Sequence, residues 1–340
     1  MKNWRHNIAS KITIVGAGNV GAACAQRIAE RGYADIVLVD IVNGLPQGKA
    51  LDILQSAPLL NFDSHLIGTN SYDETANSDV VIITSGLGRK PGMTRDDLLL
   101  ANMKIVTGVI HNVVNYSPDP IIIMVTNPVD AMTYLALHAS RLARNRVFGL
   151  SGVLDSARLS RFIADELEVP VKNVSPLVLG EHGKNMVIIP RLTTVSGIPL
   201  TKILAPEAID RLVARTLKGG AEIVGLLKTG SAFYAPSAAA ARMAEAVILD
   251  KQEVLPCATY LDGEYGIKGT VIGVPVKLGR NGIEQIIELE LTPEEGQALA
   301  GSAEAVKELL RTMKLYETNQ NQRYHPNGGP PLPGSKLCPR

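Results

Sequence analysis

The residues of this chain best suited to chemistry form two groups, one rich in glycine and one in titratable and charged side chains. Gly16-Ala17-Gly18-Asn19-Val20-Gly21 follows the apolar run Ile12 to Val15 and opens a helical pattern from Val20 to Arg31. In that context the first glycine makes the turn, the second lets a pyrophosphate approach the backbone, and the third allows close packing of helix on strand. The helix start adds free N–H groups and the positive end of its dipole. Asp40 ends the second strand about 20 residues further on, where an acid accepts hydrogen bonds from a ribose 2′-hydroxyl. Its charge would repel a 2′-phosphate, so NAD is favoured over NADP. A merely glycine-rich turn, with Asp40 as a strand cap, would not need all four elements in register. Gly44 to Ala50 is a near miss for a phosphate loop: three residues separate its glycines rather than four, and Ala50 has no hydroxyl for Mg²⁺. No ATP site is expected.

The second group centres on Gly180-Glu181-His182-Gly183, which follows the strand-like run Val174 to Leu179, and on Asp155 at the start of a helical pattern from Val153 to Leu167. Imidazole is the group most easily poised near neutral pH, and a carboxylate on its other nitrogen fixes the tautomer and stabilises the imidazolium. Taken alone, His182 suits a catalytic base and a hydrogen-bonded structural histidine equally. His6, His65, His111, His138 and His325 lack this glycine-flanked setting, and His111 and His138 read as solvated or packed. Gly86 to Asp97 carries Arg89 and Arg95 away from the carboxyl end of a parallel strand, where ligands bind in open α/β sheets. Thr94 with Asp97 reads as a capping box that opens the next helix. The run fits either a mobile flap bringing two guanidinium groups over a crevice or a solvated basic loop. Arg158, one helical turn past Asp155, would present a third guanidinium to the same crevice.

The elements that position these groups are legible as pattern. Ile12 to Val15, Ile36 to Val39, Val80 to Ile83 and Ile121 to Val125 are continuous apolar runs, as expected of strands covered on both faces. Alternating with helical segments, they predict a doubly wound α/β, Rossmann-type parallel sheet over 11–150. From 151 to 316 the texture predicts an α+β substrate domain. Its helices are expected at Val153 to Leu167, Glu207 to Leu227, Ser237 to Asp250 and Glu294 to Tyr316. Its strands are expected at Val174 to Leu179, Met186 to Ile189, Glu253 to Leu261, Gly269 to Leu278 and Gly282 to Leu289. Residues 1–10 read as an N-terminal extension, and 317–340, rich in Pro, Gly, Asn and Gln, as a disordered tail.

Composition narrows the function classes. Lys and Arg total 34 against 33 Asp and Glu, a net charge of +1 that argues against a dedicated nucleic-acid binder. No uninterrupted apolar stretch reaches the roughly 18 residues of a membrane span, and Met1 to Ser10 has no apolar signal core. A cytoplasmic protein without nucleic-acid or membrane partners is expected. Cys24, Cys257 and Cys338 are far apart and outside any CxxC pair, so neither a disulfide framework nor a zinc site is expected.

Together the motifs resemble the lactate/malate dehydrogenase family, and within it the lactate-dehydrogenase-like malate dehydrogenases. The resemblance runs from Lys11 to about Leu315. It includes Gly16 to Gly21, Arg89-Lys90-Pro91-Gly92-Met93-Thr94-Arg95, Thr126-Asn127-Pro128, Gly152-Val153-Leu154-Asp155, Gly180 to Gly183 and Gly273-Val274-Pro275. It implies NAD-dependent, metal-free oxidation of (S)-malate to oxaloacetate, a place in the tricarboxylic acid cycle, and a homodimer or homotetramer. The catalytic set it implies is His182 as proton acceptor, Asp155 as its partner and Arg95 polarising the reacting carbonyl. Arg158 would hold the C1 carboxylate. Asn127 would touch substrate and nicotinamide ribose, and Val125, Thr126 and Asn102 would line the cofactor site with Gly16 to Gly21 and Asp40. Lactate-specific members have glutamine where this chain has Arg89, and malate-specific members have arginine. The physics agrees, because a second substrate carboxylate buried without a guanidinium costs about 3–5 kcal/mol. Lys184 departs from the acidic residue usual after Gly-His-Gly, a change expected to favour a dianion.

Overall fold

The computed structural model describes residues 10–88 and 94–315. The expected extension before Ser10, Arg89 to Met93 and the tail from Tyr316 onward, with Cys338, lie outside the described residues. The first half alternates strand and helix: β1 (Lys11–Val15), α1 (Asn19–Arg31), β2 (Asp35–Val39), α2 (Leu45–Leu60), β3 (Leu66–Thr69), β4 (Val80–Ile83), α3 (Arg95–Tyr116), β5 (Ile121–Met124), α4 (Val129–Ser140) and β6 (Val147–Leu150). These six strands lie in the order β3-β2-β1-β4-β5-β6, and every pair among them is parallel. This is the doubly wound order, whose direction of winding reverses between β1 and β4, so the crevice belongs at the carboxyl ends of those strands. Ile12, Ile14, Ile82, Ile83, Ile122 and Ile123 are fully buried. Helices cover both faces, each such side chain contributing about 1.5–3 kcal/mol by leaving water.

The second half contains α5 (Gly152–Leu167), β7 (Val174–Ser175), β8 (Val178–Gly180), β9 (Met186–Ile188), β10 (Thr194–Val195), β11 (Ile198–Pro199), α6 (Pro206–Leu227), α7 (Tyr234–Ile248), β12 (Glu253–Asp262), β13 (Lys268–Gly279), β14 (Gly282–Ile286) and α8 (Pro293–Thr312). Its strands do not form a separate layer. Antiparallel β12 pairs with β6 and continues the sheet through β13, β8 and β9, with β14 also on β13. One expected strand, Val174 to Leu179, is two: β7 joins β10 and β11 in a small sheet while β8 joins the large one. Pro176 lies between them and has no N–H for a ladder.

Asp96–Tyr116 of α3 is long and apolar enough to cross a membrane by length and composition. In the fold one face of it packs into the core through buried Leu99, Val106, Ile110 and Val113, and its other residues are mostly half-buried or exposed. Its amino end carries the expected capping box. Thr94 Oγ1 accepts from the Asp97 N–H at 3.1 Å, and the Asp97 carboxylate accepts from the Thr94 N–H at 3.0 Å. Cys24 and Cys257 are buried free thiols, and burial pushes the Cys24 thiol up to about 12.

Candidate active site

At the nucleotide end the main chain does the shaping. Gly16 has φ +107°, outside the range ordinary side chains tolerate, and a Cβ there would lie 2.7 Å from Thr84 Oγ1 and 2.8 Å from the Ser85 nitrogen. A Cβ on Gly21 would sit 1.8 Å from the Gly16 carbonyl oxygen, so the helix can approach the strand only through glycine. Beside Gly18 nothing lies within 4 Å of the Cβ position. Gly18 is also the N-cap of α1, a position with no capping side chain, and the first turn contains no acid. The first N–H groups of α1 have no carbonyl partner within the helix, and the space beside Gly18 leaves room for a pyrophosphate next to them. Asp40 accepts the Ala17 N–H at 2.7 Å and the Val42 N–H at 3.0 Å. The main chain thus orients this carboxylate while lone pairs remain for a ribose. The residues present fit NAD, whose phosphates and ribose are matched by this donor and acceptor set.

The loop after β4 and the loop after β5 are braced together. Asn102 of α3 is 1% exposed. Its Oδ1 accepts the Leu87 N–H at 2.8 Å, and its Nδ2 donates to the Asn127 carbonyl at 2.9 Å. Its amide is therefore spent on main chain rather than turned toward a ligand. Thr126, also buried, donates from Oγ1 to the Ser85 carbonyl at 2.7 Å. Val125 is half-buried, its N–H bonded to the Ile83 carbonyl. Asn127 is exposed beside them, and the Asn127–Pro128 peptide bond is cis. Arg95 is the first residue of α3, and Arg89 lies outside the described residues.

At the other end three side chains meet. Asp155 lies in the first turn of α5, where the helix dipole favours an anion, and it is fully buried. Its Oδ2 takes a hydrogen bond from His182 Nδ1 at 2.7 Å, and its Oδ1 takes one from Arg158 Nη1 at 3.0 Å. An ionised carboxylate only accepts, so Nδ1 carries the proton and Nε2 is the nitrogen left for a substrate. The His182 side chain is 13% exposed. Burial works against its charged form, but the Asp155 charge and hydrogen bond, with Asp130 adding to them and Arg158 opposing, hold its pKa above the usual histidine range. Arg158 Nε is buried and has no hydrogen-bond partner among the described residues. The Arg158 side chain lies against α6, where a Cβ on Gly219 would be 3.2 Å from its Cδ.

The structure brings His182, Asp155 and Arg158 into one chain of contacts, as the helix and strand-end spacing suggested. It also reveals groups that the motifs did not single out. Asp130, in the first turn of α4, accepts the His182 N–H at 2.9 Å. Ser302 of α8 accepts the Glu181 N–H and donates to the Asn185 carbonyl, both at 2.7 Å. An acid inside the apolar run Val129 to Leu137 was the available signal for the first; nothing local marks the second. Lys184 is exposed, and the neighbouring Asn185 amide binds Glu181. His138 is packed, its ring 4.0 Å from that of Tyr134. Among the described residues no group of three or more His, Cys, Asp or Glu side chains is placed to hold a metal ion. A cleft of about 610 Å³ opens elsewhere, at the amino-terminal edge of the parallel strands; Arg146 there is already paired with Asp119 at 2.8 Å.

A parallel switch-point sheet with a glycine cradle, together with a buried carboxylate–imidazole pair and a guanidinium, fits the class of nicotinamide-dependent oxidoreductases. Residues 10–149 match the lactate/malate dehydrogenase NAD binding domain, and residues 152–317 match the lactate/malate dehydrogenase alpha/beta C-terminal domain. The chain belongs to the lactate/malate dehydrogenase family. It is 54% identical over 305 residues to the malate dehydrogenase of Dehalococcoides mccartyi, covering 90% of this chain and 99% of that one. The solved malate dehydrogenase of Salinibacter ruber is 49% identical with a TM-score of 0.86, covering 89% of this chain and 97% of its own. The Cryptosporidium parvum lactate dehydrogenase, solved with lactic acid and nicotinamide adenine dinucleotide, is 40% identical with a TM-score of 0.87, covering 91% and 99%.

Proposed function

We propose that this protein is an NAD-dependent malate dehydrogenase, interconverting (S)-malate and oxaloacetate. The observation that carries the reading is one carboxylate, Asp155, bonded at once to His182 Nδ1 and Arg158 Nη1, with a buried Arg158 N–H still unpartnered. That arrangement offers a proton acceptor and a carboxylate clamp at the same point. NAD, when bound, supplies the hydride acceptor. Neutral His182 takes the C2 hydroxyl proton at Nε2, and Asp155 stabilises the imidazolium so formed. Arg158 binds the C1 carboxylate through its free N–H groups, and Arg89 binds the second carboxylate. Arg95 stabilises charge on the C2 oxygen, and Asn127 contacts substrate and the nicotinamide ribose. Gly16 to Gly21 and Asp40 hold the dinucleotide, with Val125, Thr126 and Asn102 forming the wall behind it. These groups act by electrostatic preorganisation in a site closed to water.

The same reading takes 11–150 as the cofactor domain and 151–316 as the substrate domain. It takes the protein as cytoplasmic, as acting in the tricarboxylic acid cycle, and as having no nucleic-acid or membrane partner. It also takes the protein as a homodimer or homotetramer. Exposed Leu51, Leu59 and Leu60 on α2 and Leu217, Val224 and Leu226 on α6 support self-association, since such apolar faces mark contact surfaces. The test is NADH oxidation with oxaloacetate and pyruvate in parallel, repeated with NADPH. Oxaloacetate with NADH is expected to exceed pyruvate by about a hundredfold or more in kcat/KM. A preference for pyruvate would overturn the Arg89 assignment, and no turnover with either would overturn the substrate class.

A further inference from the structure

Asp130 is 1% exposed, and only one of its carboxyl oxygens is occupied. Oδ2 accepts the main-chain N–H of His182 at 2.9 Å, whereas Oδ1 is buried without a hydrogen-bond partner among the described residues. A carboxyl withdrawn from water with so few partners is costly to ionise. Burial pushes its pKa up to about 7, opposed by the N–H and the charge of His182 and reinforced by Glu181. The groups around His182 come from four elements. α5 supplies Asp155 and Arg158, α4 supplies Asp130, the loop itself supplies Glu181, and α8 supplies the uncharged Ser302 hydroxyl. Ser302 pins the loop on both sides of the histidine, and Asp130 pins it at the histidine itself.

We infer that Asp130 is a second, positioning carboxyl for His182, fixing its main chain from α4 and adding its charge to that of Asp155 in holding the imidazolium. The inference rests on the reading of His182 as the proton acceptor. α4 begins directly after Asn127 and Pro128, so one helix start carries both the proposed nicotinamide contact and the carboxylate that anchors the His182 main chain. As the ring gains a proton from substrate, its positive charge offsets part of the cost of ionising the buried Asp130. The two groups therefore titrate together rather than independently.

The experiment is a pH titration of the His182 ring by NMR on the full chain, assigned by the signal lost in His182→Asn and repeated in Asp130→Asn and Asp130→Ala. Asparagine keeps an oxygen for the His182 N–H and removes the charge. Its expected effect is a fall in the His182 pKa of about half a unit or more. The pH midpoint of oxaloacetate reduction should fall with it, and KM should change less than kcat. Alanine removes the anchor as well, and should lower kcat further than asparagine does. An Asp130→Asn protein that titrates at the wild-type midpoint overturns the inference. If neither variant folds, the wild-type titration decides: two coupled steps at His182 support the inference, and a single independent step overturns it. Full turnover in His182→Asn would instead overturn the proton-acceptor reading beneath it, a separate result.

Discussion

Between Gly16 and Asp40 the crevice is made of main chain: a positive-φ glycine, an uncapped helix start, and a carboxylate held by two backbone N–H groups. Around His182 it is made of side chains delivered by α4, α5 and α8, which bond to His182, to Asp155 or to the loop that carries the histidine. The first region depends on the absence of atoms, the second on their presence. Phosphates are bound by many equivalent N–H groups and need room. A proton is handed over at one atom and needs a fixed partner at hydrogen-bond distance. The two regions should therefore fail in different ways.

The largest effect is expected at the proton end. His182→Asn should lower kcat by about 10²–10⁴-fold, and NADH binding, followed by fluorescence titration, should stay within about twofold because no cradle atom is touched. Loss of NADH affinity in that variant would break the distinction. The converse variant is Gly21→Val. Its Cβ would fall 1.8 Å from the Gly16 carbonyl oxygen. It should lose about 3 kcal/mol of stability by chemical denaturation, and NADH affinity more than about tenfold, while the His182 ring titrates as before. A milder change sharpens the comparison within the proton end. Gly219→Ala places a methyl 3.2 Å from Arg158 Cδ. Shifting the guanidinium by a few tenths of an ångström should raise KM for oxaloacetate by about three- to tenfold with less change in kcat. Unchanged steady-state constants would show that the α6 contact at Gly219 does not set the position of the Arg158 guanidinium.

The same contrast explains what could be read from the residues in order. The cradle is contiguous: Gly16, Gly18, Gly21 and the strand and helix around them lie within one βα unit, so spacing alone identifies it. Asp155 and Arg158 share one helical turn and were legible as a pair, and the capping box at Thr94 and Asp97 was local as well. Asp130, Ser302 and Gly219 acquire their roles only when α4, α8 and α6 pack around the His182 loop and Arg158, and no local spacing encodes those contacts. β3 and β6 are each interrupted by a glycine, which weakens the strand signal that the uninterrupted apolar runs carry. The continuous sheet through β12 and β13 was hidden for a related reason, since antiparallel pairing across more than 100 residues of sequence leaves no periodic trace.

The central claim is that His182 exchanges the proton that accompanies hydride transfer, and pH tests it in both directions. Asp155 and Asp130 together outweigh burial and keep the ring charged above the ordinary histidine pKa of 6.5. Oxaloacetate reduction needs the imidazolium and should fall as pH rises through that raised value. Malate oxidation needs the neutral ring and should fall as pH drops through it. The most direct measurement is the single-turnover rate in each direction across this range. Opposite profiles over the same pH range are predicted, and rates independent of pH in both directions would contradict the account.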